Sequence, residues 1–125
     1  MARILIVDDE NTVRQLLKRA LLLSRHEVVE ASDGKDALAK FITEKKPFDL
    51  IITDMMMPGT DGFSLVEEIA SLDPHAKVII MSGWFSEEEL NTTKNEVSNC
   101  IRGILQKPCS MEEIQTVLKK VIEED

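Results

Sequence analysis

The residues of this chain that could do chemistry fall in four places: Asp8-Asp9-Glu10, Asp54, Ser82-Gly83 and Lys107-Pro108. Each follows a short apolar run, Asp54 after an intervening Thr53 and Lys107 after Gln106. Three carboxylates brought into one crevice repel strongly unless a cation or protons relieve them. A hard divalent ion is the natural remedy. Mg²⁺ takes one or two protein carboxylates, keeps several waters and coordinates phosphate. A nearby lysine can hold a phosphoryl oxygen as a point charge, and a serine hydroxyl or backbone N–H can hold another. Aspartate is a competent nucleophile for making an acyl phosphate, and phosphoryl transfer is catalysed mainly by positioning and charge neutralisation. Singly, each residue has a plainer reading. Asp8, Asp9 or Glu10 would complement a helix N-terminus, Asp54 would start a turn, Ser82-Gly83 would mark a loop, and Lys107 would be a solvated charge. The chemistry exists only if the fold brings the four places together.

The elements between them make that convergence the expected outcome. Ile4–Val7, Val28-Val29, Leu50–Ile52, Val78–Met81 and Ile104-Leu105 are short runs rich in β-branched residues, most without polar alternation. Such runs read as strands covered on both faces, as in a parallel sheet. Val13, Leu16, Leu17, Ala20 and Leu21 show full helical spacing, as do Ile114, Val117, Leu118, Val121 and Ile122. The latter stretch follows Ser110-Met111-Glu112-Glu113, a capping box with Ser110 as N-cap. Two further helices are expected from Asp33-Gly34 to Lys45-Lys46-Pro47 and from Asp61-Gly62 to Asp73-Pro74. A fourth, opened by Ser86-Glu87-Glu88-Glu89, has a thin apolar stripe of Leu90, Val97 and Ile101. Strand and helix alternate through five cycles, which means right-handed crossovers and a three-layer α/β domain. Ligands of such sheets bind beyond the carboxyl ends of the strands, where all four polar places fall.

Composition narrows the class. The chain has 125 residues, 43% hydrophobic and 30% charged, which predicts one domain spanning residues 1–125 with a single core. Its formal net charge of −8 opposes direct nucleic-acid binding. No apolar run is long enough for membrane insertion or a signal-peptide core. Two cysteines, Cys100 and Cys109, make no disulfide framework and lack zinc-ligand spacing, so a cytoplasmic setting is expected. Met55-Met56-Met57 is a poor soft-metal site beside hard oxygens. His26 and His75 read as exposed loop residues.

The chain resembles the receiver domain of two-component response regulators along essentially its whole length. The resemblance rests on Ile6-Val7-Asp8-Asp9-Glu10, Asp54-Met55-Met56-Met57-Pro58-Gly59-Thr60-Asp61-Gly62, Ile79-Ile80-Met81-Ser82-Gly83 and Lys107-Pro108, in the family's order and near its spacing. It implies a flavodoxin-like three-layer (βα)5 domain with a parallel five-stranded sheet of order 2-1-3-4-5. It also implies that Asp54 is the phosphoacceptor, taking its phosphoryl group from the phosphohistidine of a sensor histidine kinase or phosphotransfer protein. Asp9 would bind Mg²⁺ directly and Asp8 through water or a shared position, with Asp54 and the carbonyl of Met56 as further ligands. Ser82 would hydrogen-bond the phosphoryl group and Lys107 would pair with it. The domain would be a signalling module that catalyses its own phosphorylation and dephosphorylation, switching a surface for a downstream protein or output domain. With the chain ending at Glu123-Glu124-Asp125, either a single-domain regulator or a domain of a longer protein is expected.

Three departures from the family pattern stand out. Ile104 occupies a position that is often aromatic in receivers, where rotation of the ring accompanies activation. Cys109 replaces the common phenylalanine after Lys107-Pro108, and the stretch from Ser82 to Lys107 is a few residues long, with the surplus expected in Asn91–Asn99. Met56 and Trp84 flank the expected route of the hydrolytic water, so a long-lived phosphorylated state is expected. Other functions fit less well. A flavodoxin-like electron carrier would place a flavin phosphate against Asp8-Asp9-Glu10, a haloacid-dehalogenase phosphatase needs an Asp-x-Asp pair, and no P-loop motif is present. The alternative from another class is a pseudo-receiver, an interaction module that is never phosphorylated.

Overall fold

The computed structural model describes residues 2–57, 60–83 and 100–123. Within them lie strands β1 (Arg3–Val7), β2 (Glu27–Ala31), β3 (Leu50–Asp54), β4 (Val78–Ser82) and β5 (Ile101–Gln106). Helices are α1 (Asn11–Leu23), α2 (Gly34–Thr43), α3 (Gly62–Leu72) and α4 (Met111–Glu123). Met56–Met57 and Thr60–Asp61 add a small antiparallel ladder. The five strands form one parallel sheet in the order β2-β1-β3-β4-β5. The expected α/β architecture and strand order are therefore both present. The helix expected from Ser86, the surplus Asn91–Asn99 and Trp84 lie outside the described residues.

The apolar runs explain the layering. Residues 4–7, 50–52 and 78–81 are fully buried, and alternate side chains go to opposite faces. Ile4, Ile6, Leu50, Ile52, Ile79 and Met81 pack with Leu17, Leu21, Ile114, Leu118 and Val121 of α1 and α4. Leu5, Val7, Ile51, Val78 and Ile80 pack on the other face with Ala37, Leu65, Val66 and Ile69 of α2 and α3. At about 1.5–3 kcal/mol for each large apolar side chain removed from water, these two layers are the main drive to fold. Gly103 lets α4 sit close on the sheet. A Cβ there would lie 3.0 Å from Val117 Cγ1 and 3.1 Å from Val121 Cγ2.

Local signals close the elements much as expected. Asp33 caps α2 by accepting from the Asp36 N–H at 2.7 Å. Ser110 and Glu113 form the reciprocal capping box, with Glu113 N–H donating to Ser110 Oγ at 3.1 Å and Ser110 N–H to Glu113 Oε1 at 3.2 Å. Strand β5 is longer than Ile104-Leu105 predicts. Its register runs from Val78↔Ile101 to Ile79↔Gly103, so Arg102 is the extra residue of a bulge, and that polar interruption hid the strand's first half. Ile104, at the position often aromatic in receivers, is half-buried against the α2/α3 core layer. Among the described residues no helix is long and apolar enough to cross a membrane.

His26 departs from its expected place. It is half-buried, and its Nδ1 accepts the Ala2 N–H at 2.9 Å. Arg25, at φ 63°, turns the chain after α1, and the His26 N–H returns to the Leu21 carbonyl at 3.1 Å. His75 is exposed, as expected.

Candidate functional site

The parallel sheet sets the carboxyl ends of β1, β3, β4 and β5 side by side. Asp8 follows β1, Asp54 ends β3, Ser82 ends β4 and Lys107 follows β5. Pairing of Asp54 with Met81 and of Ser82 with Gln106 keeps the last three in register. Backbone bonds fix the edge: Asp8 N–H to the Ala31 carbonyl at 3.2 Å, Met55 N–H to Met81 at 2.9 Å, and Lys107 N–H to Ser82 at 3.0 Å. The Lys107–Pro108 peptide is cis. The four places read from sequence thus converge.

Lys107 joins them. Its Nζ lies 2.8 Å from Asp8 Oδ2, 3.1 Å from Asp54 Oδ2 and 3.3 Å from Glu10 Oε1. Asp8 is 0% exposed, Asp54 4% and Ser82 1%. The fully buried Asp8 Oδ2 has the Lys107 ammonium as its ion-pair partner. Asp8 Oδ1 accepts the Glu10 N–H at 2.9 Å, and Arg14 Nη1 donates to the Asp8 carbonyl at 2.7 Å. Burial raises the Asp8 carboxyl above its usual range and nearby Asp54 adds to this, while Lys107 and the Glu10 N–H pull it down. For Lys107, burial alone would lower the ammonium, but Asp8 and Asp54 outweigh it and push it up.

Asp8, Asp9, Glu10 and Asp54 each bring one oxygen within 4.8 Å of the others. Two like charges about 5 Å apart at an effective dielectric of 20 repel by about 3 kcal/mol. One ammonium cannot offset four carboxylates, and an all-oxygen donor set with this surplus of negative charge suits a hard divalent cation.

The family model for the response regulator receiver domain matches residues 4–119. The chain belongs to that family. This receiver is 28% identical to the response regulator receiver protein CpdR of Brucella abortus, over 98% of each chain. It is 32% identical to the rice two-component response regulator ORR21 over 96% of its own length, but spans only 17% of that longer protein. Among solved structures, Vibrio cholerae chemotaxis protein CheY4 superposes with a TM-score of 0.85 at 31% identity, covering 97% of the receiver and 98% of CheY4. The receiver is therefore a signalling domain of two-component systems, with the flavodoxin-like fold.

Site residues expected from sequence divide into two groups. Asp8, Asp54, Ser82 and Lys107 meet at the buried edge, and Asp9 lies exposed beside them. Met56 directly follows Asp54-Met55 in the small ladder with Asp61; its side chain, like Trp84, lies outside the described residues. Nothing in the sequence marks the Glu10 side chain as a partner of Lys107. Glu10 is the N-cap residue of α1, yet its side chain makes no cap hydrogen bond. Its carboxylate goes to Lys107 instead, a pairing across 97 residues that no local pattern could announce. Cys100 and Cys109 form no disulfide; Cys100 is buried, with its Sγ donating to the Pro74 carbonyl at 3.5 Å, and Cys109 is half-buried.

Proposed function

We propose that this receiver accepts a phosphoryl group on Asp54 from a phosphohistidine of a sensor histidine kinase or phosphotransfer protein, with Mg²⁺ as cofactor. The observation that carries the reading is the convergence of Asp54 with Lys107 at 3.1 Å inside a cluster of carboxylates too negative to be neutralised by that lysine. An Asp54 carboxylate oxygen would attack phosphorus as the phosphorus–nitrogen bond to the donor histidine breaks and its imidazole takes up a proton. Asp9 would hold the cation directly and Asp8 through water or a shared position, with Asp54 and the Met56 carbonyl completing the protein's share. A bound divalent cation would offset charge on the phosphoryl oxygens. Lys107, already paired with Asp54, would move its charge to a phosphoryl oxygen, and the Ser82 hydroxyl would donate to another. The new dianion would then bias a surface toward the state that holds these bonds better, for recognition by a downstream protein.

Intact-protein mass after incubation with acetyl phosphate tests the reading. A gain of one phosphoryl group is expected with Mg²⁺, absent without it and absent in Asp54→Ala. A Mg²⁺-dependent gain that persists in Asp54→Ala would place the acceptor elsewhere. No gain from acetyl phosphate or from a phosphohistidine donor would leave an interaction module that is never phosphorylated.

A further inference from the structure

Lys107 occupies oxygens that a cation in this cleft would need. Its Nζ sits 2.8 Å from Asp8 Oδ2 and 3.1 Å from Asp54 Oδ2, so a divalent ion and the ammonium compete for the same two anions. Close approach of the two positive charges is unfavourable, and an ammonium stripped of its partners in a partly buried cleft is costly. The lysine therefore needs a third partner at the margin. Glu10 Oε1, 3.3 Å away, is placed for that role. Its side chain is 57% exposed, whereas those of Asp8 and Asp54 are 0% and 6%. Its backbone is held at both ends: its N–H donates to Asp8 Oδ1 at 2.9 Å, and its carbonyl accepts the Arg14 N–H at 3.1 Å. Its carboxylate is not engaged in capping α1, so it can reach across to β5.

We infer that Glu10 is a positioning residue: it retains the Lys107 ammonium at the mouth of the cleft when a divalent cation takes Asp8 and Asp54. The lysine thereby yields the cation's oxygens while staying within reach of a phosphoryl group on Asp54. This inference rests on the proposed Mg²⁺ site. A plainer role for Glu10, as one more anion acting on the ion itself, makes a different prediction.

Isothermal titration of Mg²⁺ into the wild type, Glu10→Gln, Lys107→Met and the double variant separates the two. Lys107→Met is expected to tighten Mg²⁺ binding by removing the competitor. Glu10→Gln is expected to weaken it about two- to fivefold while Lys107 is present, the scale of a partly exposed ion pair. In the Lys107→Met background the same change is expected to cost under about 1.5-fold, because the coupling runs through the lysine. Equal losses in both backgrounds would overturn the inference and make Glu10 an electrostatic partner of the ion. If Lys107→Met does not fold, Lys107→Gln completes the same cycle. Failure of the wild type to bind Mg²⁺ would remove the cation site itself, an outcome distinct from equal losses.

Discussion

At the amino-terminal edge of the sheet, Arg3 has a partner for each guanidinium nitrogen. At the carboxyl-terminal edge, Lys107 faces more carboxylates than it can satisfy. Arg3 Nε donates to Glu27 Oε2 at 2.9 Å, Nη2 to Glu44 Oε1 at 2.5 Å and Nη1 to the Lys46 carbonyl at 2.7 Å. The guanidinium also lies 4.6 Å over the Phe48 ring, and the Arg3 backbone N–H donates to Asp49 Oδ2 at 2.8 Å. Both networks join strands to neighbouring loops around one long cation. The first is saturated and tethers the segment after α2 to β1 and β2. The second has a repulsive surplus of negative charge, four carboxylates around one ammonium. A charge cluster that is complete holds structure together, and one that is deficient in cations is prepared to receive one.

The largest effect that would sharpen this contrast is expected from Arg3→Ala. Losing three charge-assisted bonds and the ring contact should destabilise the fold by about 2–3 kcal/mol in urea unfolding. Mg²⁺ affinity at the opposite edge should remain within about twofold, since distant sites act independently. A loss below about 0.5 kcal/mol would show that the saturated network contributes nothing structural and would break the comparison.

Asp8→Asn should move stability the other way. In Mg²⁺-free buffer at pH 7 the variant is expected to be about 1–2 kcal/mol more stable, because it removes a buried charge from a repulsive cluster. Linkage gives the same sign. Burial raises the folded-state Asp8 carboxyl above its ordinary 3.8, so the folded protein holds this proton more tightly than the unfolded chain. The contribution of Asp8 to stability is fully present below about pH 3.8 and is lost as pH rises through the raised folded value. Wild type and Asp8→Asn should therefore converge on acidification, measured as thermal midpoints with a chelator present. An Asp8→Asn protein less stable than wild type at pH 7 would mean that Lys107 over-compensates the cluster.

What was readable in the sequence follows the same division. Continuous β-branched runs identify β1, β3 and β4 because burial on both faces leaves no room for polar alternation. Asp8, Asp54, Ser82 and Lys107 follow from that, since parallel strands present their carboxyl ends together. Ser110 and Glu113 are equally readable, because a capping box is local. Arg3 and Glu10 were not. Each looks like an ordinary surface charge beside a strand or helix, and each acquires its role from partners brought near by folding: Glu44 and Lys46 for Arg3, Lys107 for Glu10. The first half of β5 was hidden for another reason, the polar Arg102 bulged out beside a glycine chosen for close helix packing.

The smallest effect tests the amino-terminal edge through His26. Its Nδ1 accepts the Ala2 N–H, which requires the unprotonated nitrogen, and burial lowers its pKa from the ordinary 6.5. The unfolded chain then binds this proton more readily, so the His26 contribution is present above about pH 6.5 and is lost as pH falls through the lowered folded value. Acid thus acts oppositely at the two edges, favouring Asp8 and opposing His26. Because both contributions change on acidification, the measurement belongs in the Asp8→Asn background, where Asp8 no longer titrates. His26→Asn, whose side-chain oxygen can accept the same N–H without titrating, should match its parent at pH 7 within about 0.5 kcal/mol. At pH 5 it should be the more stable protein by no more than about 1 kcal/mol, the scale of one hydrogen bond. Identical acid profiles for the two proteins would show that the Ala2–His26 bond carries no pH dependence. The histidine would then add no proton sensitivity to the saturated edge, and the contrast between the edges would be sharper.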